Sequence, residues 1–358
     1  MISNIQALRA YAASGVLLYH TAYPLLPGNH TDFQGVSIFF VVSGFIMTHI
    51  TLKDDRESRP FSFLLHRVVR IVPLYWLCTL YLGTLNLYSG LRLMENPELA
   101  AMTAGLTSLD RIVAADAFWS QTIQLMKSLL FIPYINHQGN PHPLLAVGWT
   151  LNMEMHFYLC YALMLNFKKT LAPGLTFIFL IGFIAFAQSG VGSSPLFTLH
   201  ASGYPVYFCL GILVYYLWKW LDRKDLFKWK RSAITVAFFG GALYLLANLF
   251  PEHSGAFIQV GPVILVMSAL VLHSCQWRVK SPFLMLLGAS SYALYLTHTL
   301  VLDLAQKVEF LNFKTSLIGF SISLVVCLIF AIFVHLYLER PITGWLKRGI
   351  SAQPPPGN

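Results

Sequence analysis

Residues 315–338 read TSLIGFSISLVVCLIFAIFVHLYL, a run without one Asp, Glu, Lys or Arg. It is longer than the roughly 20 apolar residues that carry a helix across a bilayer. Its apolar positions do not alternate with polar ones, as the strands of a membrane β-barrel require, so the run predicts a transmembrane helix. Outward from it, nine more apolar runs lie near 5–26, 34–52, 71–89, 145–166, 174–190, 203–220, 232–249, 257–273 and 283–303. The expected fold class is all-α, a polytopic membrane protein of about ten transmembrane helices. Composition agrees. Of 358 residues, 56% are hydrophobic and 11% charged, and the mean hydropathy is +0.61. Soluble domains carry roughly 25% charged residues, so an ordinary soluble enzyme is excluded. Disorder is excluded too, by the apolar content and by 27 Phe, 17 Tyr and 8 Trp.

The formal net charge is +9. With the N-terminus in the cytoplasm, eighteen of the 24 Lys and Arg fall in internal segments. Arg92, Arg111, Lys127, Lys307 and Lys314 fall outside, and Arg9 sits at the start of the first span. That asymmetry follows the positive-inside rule and predicts an even span count with both termini cytoplasmic. The basic excess therefore reports topology, with some attraction to membrane lipid or an anionic cytosolic substrate, and no nucleic-acid partner is expected.

No cleaved signal peptide is expected: Arg9 is the only early cation, and no small-x-small site follows near residue 25. Cys78, Cys160, Cys209 and Cys327 fall in spans and Cys275 on the cytoplasmic side, which gives no disulfide framework. The chain has no CxxC, no HExxH and no glycine-rich nucleotide loop, so no metal site is expected. The organisation predicted is one membrane-embedded domain over 1–345 and a disordered cytoplasmic tail over 346–358. An external segment of about 90–144 is too long for a bare connection. Its middle, Asp116 to Ile132, predicts one or two amphipathic helices at the outer interface.

Polar groups inside spans carry the chemistry, because lipid penalises them. Arg9 and His20 are eleven residues apart, about 20° beyond three full turns, so they share a helix face about 16 Å apart. Arg9 can snorkel to headgroups, and His20 can be a bonded core histidine. An ionisable imidazole at depth also suits a general base. Arg67 and Arg70, at i and i+3, form a guanidinium fork suited to phosphate, with no Asp or Glu between Arg59 and Arg70. Ordinary positive-inside charge accounts for them equally. Pro73 is expected to kink or begin the third span. Glu154 shares a face with Tyr158 and Tyr161, while Asn152 and His156 face the other way. A carboxylate there needs a partner or a proton, which fits a structural ion pair or a catalytic role. Ser291, Tyr295 and His298 share a face of the ninth span. His298 and Asp303 match an HxxxxD spacing, but five residues turn about 140° past a full circle, so the match is coincidence.

Six stretches in order resemble the acyltransferase-3 family of integral membrane O-acyltransferases, in particular the branch acetylating bacterial exopolysaccharide or lipopolysaccharide. They are NIQALRAYAASGVLLYH, GVSIFFVVSGFIM, FLLHRVVRIVPLYW, VGWTLNMEMHFYL, GASSYALYLTH and YLERP, and they run nearly end to end. The resemblance implies a ten-span fold in the bacterial inner membrane. It implies an acyl-CoA donor, usually acetyl-CoA, arriving from the cytoplasm as substrate and not as a permanently bound cofactor. The implied acceptor is a surface glycan or a lipid-linked sugar. Arg9 and His20 match the family's essential pair, with His20 catalytic, and Arg67 and Arg70 match its paired arginines for CoA phosphates. Gly44 matches its second-span glycine, and Glu339 and Arg340 its terminal polar pair. Trp149, Tyr295 and His298 lie within its motifs as substrate or structural support.

The chain departs from the family at Ser37, commonly an acidic residue, which leaves Asp32 or Glu154 to orient the histidine. No extra hydrolase-like domain of the kind some members append is expected, so transfer is expected from the membrane part alone or with glycan-assembly partners. Direct deprotonation by His20 and an acetyl-histidine intermediate both remain open. Two other classes stand beside this one. A transporter or flippase would also use intramembrane His, Glu and Arg, but more often shows paired half-sequences with interrupted helices. A polytopic glycosyltransferase would draw on external acidic residues such as Glu95, Glu98, Asp110 and Asp116.

Overall fold

The computed structural model describes residues 2–22, 35–54, 58–95, 110–136, 139–190, 194–224, 230–249, 255–308 and 317–351. Asp32, Glu98 and the last residues of the tail lie outside them. The helices are α1 (Ser3–Ala22), α2 (Gly35–Lys53), α3 (Pro60–Glu95) and α4 (Asp110–Leu129). A 3₁₀ turn (Ala146–Gly148) leads into α5 (Trp149–Met164), followed by α6 (Ala172–Gln188), α7 (Pro195–Ala201) and α8 (Val206–Arg223). Next come α9 (Lys230–Leu249), α10 (Gly255–Ser274), α11 (Pro282–Ala289), α12 (Ser291–Ala305) and α13 (Leu317–Val334). A π turn (His335–Glu339) then joins α13 to α14 (Arg340–Ser351).

The fold is all-helical, with no strand among the described residues, and the described parts of the ten expected apolar stretches are helical, the stretch 283–303 being divided between two helices. Among the described residues, three helical stretches could cross a bilayer by length and composition: Gly35–Lys53, Pro60–Tyr88 and Leu317–Ile350. Two bent pairs raise the number to five if each is one span: α7 with α8, bent by 50°, and α11 with α12, bent by 67°.

Local chemistry explains several boundaries. Pro60, Pro195 and Pro282 open their helices, where a missing N–H costs nothing. Pro73 was expected to kink or begin the third span. It does not begin it: α3 starts at Pro60 and runs unbroken past Pro73. The break before α8 holds Gly203 at φ +80°, a left-handed conformation that glycine adopts without strain. Among the described residues of the segment expected at the outer interface lies α4, which packs on α3: Trp76 Nε1 donates to the Leu129 carbonyl at 2.8 Å and Tyr75 Oη to that of Ser128 at 3.1 Å. The terminal helix α14 continues to Ser351, into the stretch expected to be a tail.

Small residues set the closest helix contacts. A Cβ on Gly44 of α2 would lie 2.1 Å from the Phe208 carbonyl oxygen, and one on Gly211 of α8 would lie 2.2 Å from that of Val41. In the same way α11 meets α1 at Gly288, where a Cβ would lie 2.1 Å from the Gln6 oxygen. These near-backbone crossings hold α1, α2, α8 and α11 in fixed register. Phe40, Phe157 and Phe208 then stack between α2, α5 and α8 at centroid separations of 4.3 and 4.4 Å. This rigid centre positions the polar side chains described next.

Candidate active site

A cavity of about 70 Å³ lies among α1, α2, α3, α5 and α12. Its wall is mostly apolar, but Arg9, Arg70, Glu154, Tyr158, Ser43 and Ser291 reach it. Glu154 is held from two sides: Ser43 Oγ donates to its Oε1 at 2.8 Å, and Tyr158 Oη donates to the same oxygen. The i, i+4 spacing of Glu154 and Tyr158 on α5 makes the second contact. Arg9 Nη1 donates to Gln6 Oε1 at 3.4 Å, and Arg9 lies in the fields of Arg70, Glu339, Glu154 and Tyr158. The fields of both Arg70 and Arg67 reach Tyr158, and the Arg67 guanidinium also lies 5.8 Å over the Phe63 ring. A half-buried carboxylate capped by two hydroxyls, in the fields of guanidiniums, is a compensated site, which is what a low-dielectric interior demands.

Glu339 belongs to this surround. It sits at the end of the π turn, where His335 Nδ1 donates to its Oε2 at 2.7 Å, and its field reaches Arg9 and Tyr292. Arg340, its neighbour in sequence, is exposed, so the terminal polar pair divides between the site and the surface. The extra residue of a π turn re-aims side chains, a device frequent at functional sites.

His20 stands apart from the cavity, at the last turn of α1. It is exposed, and its Nδ1 lies 2.9 Å from the Val16 carbonyl oxygen. A carbonyl oxygen only accepts, so Nδ1 carries the hydrogen and Nε2 the lone pair. Tyr19 meets the ring edge-on at 5.4 Å, and His298 of α12 lies 4.9 Å away between centroids. His298 is buried, with Nδ1 3.0 Å from the Leu294 carbonyl oxygen.

The structure therefore brings Arg9, Arg70, Glu154 and Glu339 together and pairs His20 with His298 in a second cluster. Glu154, a substitute orienter for His20, is bonded to Ser43 and Tyr158. Ser37 is fully buried in α2. Tyr295 links the clusters: its ring packs 6.1 Å from His298, and its hydroxyl lies 2.9 Å from Thr150 Oγ1 at the cavity wall. Trp149 is outside both, edge-on to Tyr204 at 5.2 Å. Gly44 acts through the α2–α8 crossing. Asp303 is exposed while His298 is buried, in keeping with the 140° separation. Ser43, Tyr292 and His335 escaped sequence reasoning. Only His335 left a signal, its i, i+4 spacing to Glu339.

Apolar helices of crossing length around a compensated arginine–glutamate cavity define a helical membrane protein with a buried polar site. The chain belongs to the acyltransferase-3 family, described as an acyltransferase domain, which matches residues 2–336. Among relatives, the exopolysaccharide production protein ExoZ of Rhizobium meliloti is 30% identical over 348 residues, covering 93% of this chain and 95% of that one. The O-acetyltransferase OatA of Staphylococcus aureus is 22% identical over 380 residues, covering 98% of this chain. The chain spans 58% of the length of the staphylococcal relatives it matches. No solved structure matches it.

Proposed function

We propose that this protein is a membrane O-acyltransferase of ten spans in the bacterial inner membrane, with both termini cytoplasmic. It moves an acetyl group from cytoplasmic acetyl-CoA to a hydroxyl of an exopolysaccharide or its lipid-linked precursor. ExoZ, alike over almost the whole of both chains, supports the glycan as acceptor. Arg67 and Arg70 take the donor phosphates, where planar guanidiniums give bidentate contacts. The observation that carries the chemistry is the state of His20: exposed, with Nδ1–H committed to the Val16 carbonyl, it presents a lone pair at Nε2. Such a nitrogen takes the proton of an attacking hydroxyl, or itself carries the acetyl group. The test is mass spectrometry of surface glycans from cells with and without the protein. A mass difference of one acetyl group per modified sugar is expected, and identical spectra would sink the reading.

A further inference from the structure

We infer that His298 is a positioning residue for His20, the acceptor to which protonated His20 donates its Nε2–H while the acetyl group changes hands. The inference rests on the reading of His20 as general base. Four observations carry it.

The tautomers come first. Both imidazoles are fixed by the carbonyl four residues back on their own helix, Val16 for His20 and Leu294 for His298. Each therefore bears hydrogen at Nδ1 and a lone pair at Nε2. Second, Nε2 of His298 is buried and has no hydrogen-bond partner among the described residues. A buried acceptor without a donor is a standing cost of folding, and it is relieved when a proton arrives on the neighbour. Third, the rings are within reach. Between His156 and His200 a real N···N hydrogen bond of 2.7 Å goes with a centroid separation of 4.5 Å. His20 and His298 stand at 4.9 Å, a little farther apart and with no hydrogen bond at rest, so a small approach of the two rings brings them to that distance. Fourth, the two differ in access: His20 is exposed and His298 is 1% exposed. One faces the substrate and the other cannot.

The step balances. The acceptor O–H bond breaks as an N–H bond forms at His20 Nε2, and the oxygen attacks the acetyl carbonyl. The new C–O bond forms, the C–S bond breaks, and the departing CoA thiolate takes the proton back from His20. Between those events His20 is an imidazolium. With the ring held at Val16, that single Nε2–H is shared between the reacting site and His298 Nε2, a three-centre arrangement that stabilises the imidazolium until the thiolate takes its proton. Tyr295, packed on His298, helps hold the acceptor ring in place.

The test uses inverted membrane vesicles, radiolabelled acetyl-CoA as probe and the endogenous glycan as acceptor, with variants normalised to accumulated protein. A Gln amide oxygen accepts a hydrogen bond but fills the site poorly, whereas Phe fills it and accepts nothing. His298→Gln is expected to keep the maximal rate within about threefold. His298→Phe is expected to lose about 10–100-fold, the worth of a charge-assisted hydrogen bond, with the apparent KM for acetyl-CoA unchanged. A packing role predicts the reverse order, and that order overturns the inference. So does loss of more than about tenfold in His298→Gln, which decides the matter alone if the Phe variant fails to accumulate. Activity in His20→Ala, read in the same vesicles, would instead remove the base on which the pair depends.

Discussion

His20 and Glu154 are both ionisable groups on apolar helices, yet their surroundings predict opposite consequences of removal. His20 is exposed and its one hydrogen bond stays within its own helix. His20→Ala should therefore accumulate and melt as wild type while acetylation falls about 10²–10⁴-fold, the usual cost of losing a positioned base. Glu154 receives hydrogen bonds from Ser43 and Tyr158 and faces Arg9. Glu154→Ala leaves the half-buried guanidiniums of Arg9 and Arg70 short of a counter-charge and strands the hydroxyls of Ser43 and Tyr158, at a cost of roughly 1–3 kcal/mol. It should lower both the melting temperature of detergent-solubilised protein and its yield. Equal melting of the two variants would mean that Glu154 is not the structural anchor its bonds describe.

Some of this site was legible in the residues and some was not. Pairings within one helix follow from a fixed 100° step, so Glu154 with Tyr158, and the shared face of Ser291, Tyr295 and His298, could be read directly. Partners on other helices depend on how the bundle packs, which no spacing encodes. Hence Ser43 on α2, the meeting of Arg70 with Arg9, and the contact of His298 with His20 emerge only in three dimensions. The shared face of Arg9 and His20 was legible, but not that α1 serves one cluster at each end.

At the scale of elements, the α2–α8 crossing is the most exacting contact. The clashing atoms at Gly44 and Gly211 are backbone carbonyls, which cannot swing aside as a side chain can. Gly44→Ala or Gly211→Ala must move one helix off the other, costing about 1–3 kcal/mol or more. Because both act on one crossing, the double variant should lose less than the sum of the singles. Gly182, inside α6, is the contrast: a Cβ there meets nothing within 4 Å. Gly182→Ala should raise stability by up to about 1 kcal/mol through helix propensity alone. Thermal melts of the four variants check this, and a stabilised Gly44→Ala would contradict the packing. The apolar runs foretold where helices lie because hydropathy accumulates over many residues. The bend at Ser290 was hidden, since the run 283–303 continues through it, whereas the break at 202–205 falls at the start of the run 203–220, where Gly203 and Pro205 mark it locally.

At the scale of the whole molecule, helix length and charge together predict an orientation. At about 1.5 Å per residue, α3 is far longer than the roughly 30 Å of hydrocarbon, and so is the stretch Leu317–Ile350. Each must project from the bilayer, and their charges say at which end. From Ile71 to Leu91 α3 carries no charge, and Arg67 and Arg70 lie just before. The terminal stretch is uncharged from Leu317 to Leu338, and Glu339, Arg340, Lys347 and Arg348 follow. The π turn and α14 pack on α3, and the field of Glu339 reaches Arg9 near the start of α1. The start of α1, the start of α3 and the end of α14 thus meet on one cation-rich side, which the positive-inside rule predicts to be cytoplasmic. A chain whose two ends share a side crosses an even number of times, as the proposed ten spans require. Single cysteines test this with a membrane-impermeant maleimide, because the five native cysteines are all buried and stay silent. Asp54→Cys, Lys224→Cys and Arg348→Cys, at exposed positions, should label only in permeabilised cells, and Asn140→Cys in intact ones. Labelling of Arg348→Cys in intact cells would put the end of the chain outside, make the span count odd and separate Glu339 from the cytoplasmic donor.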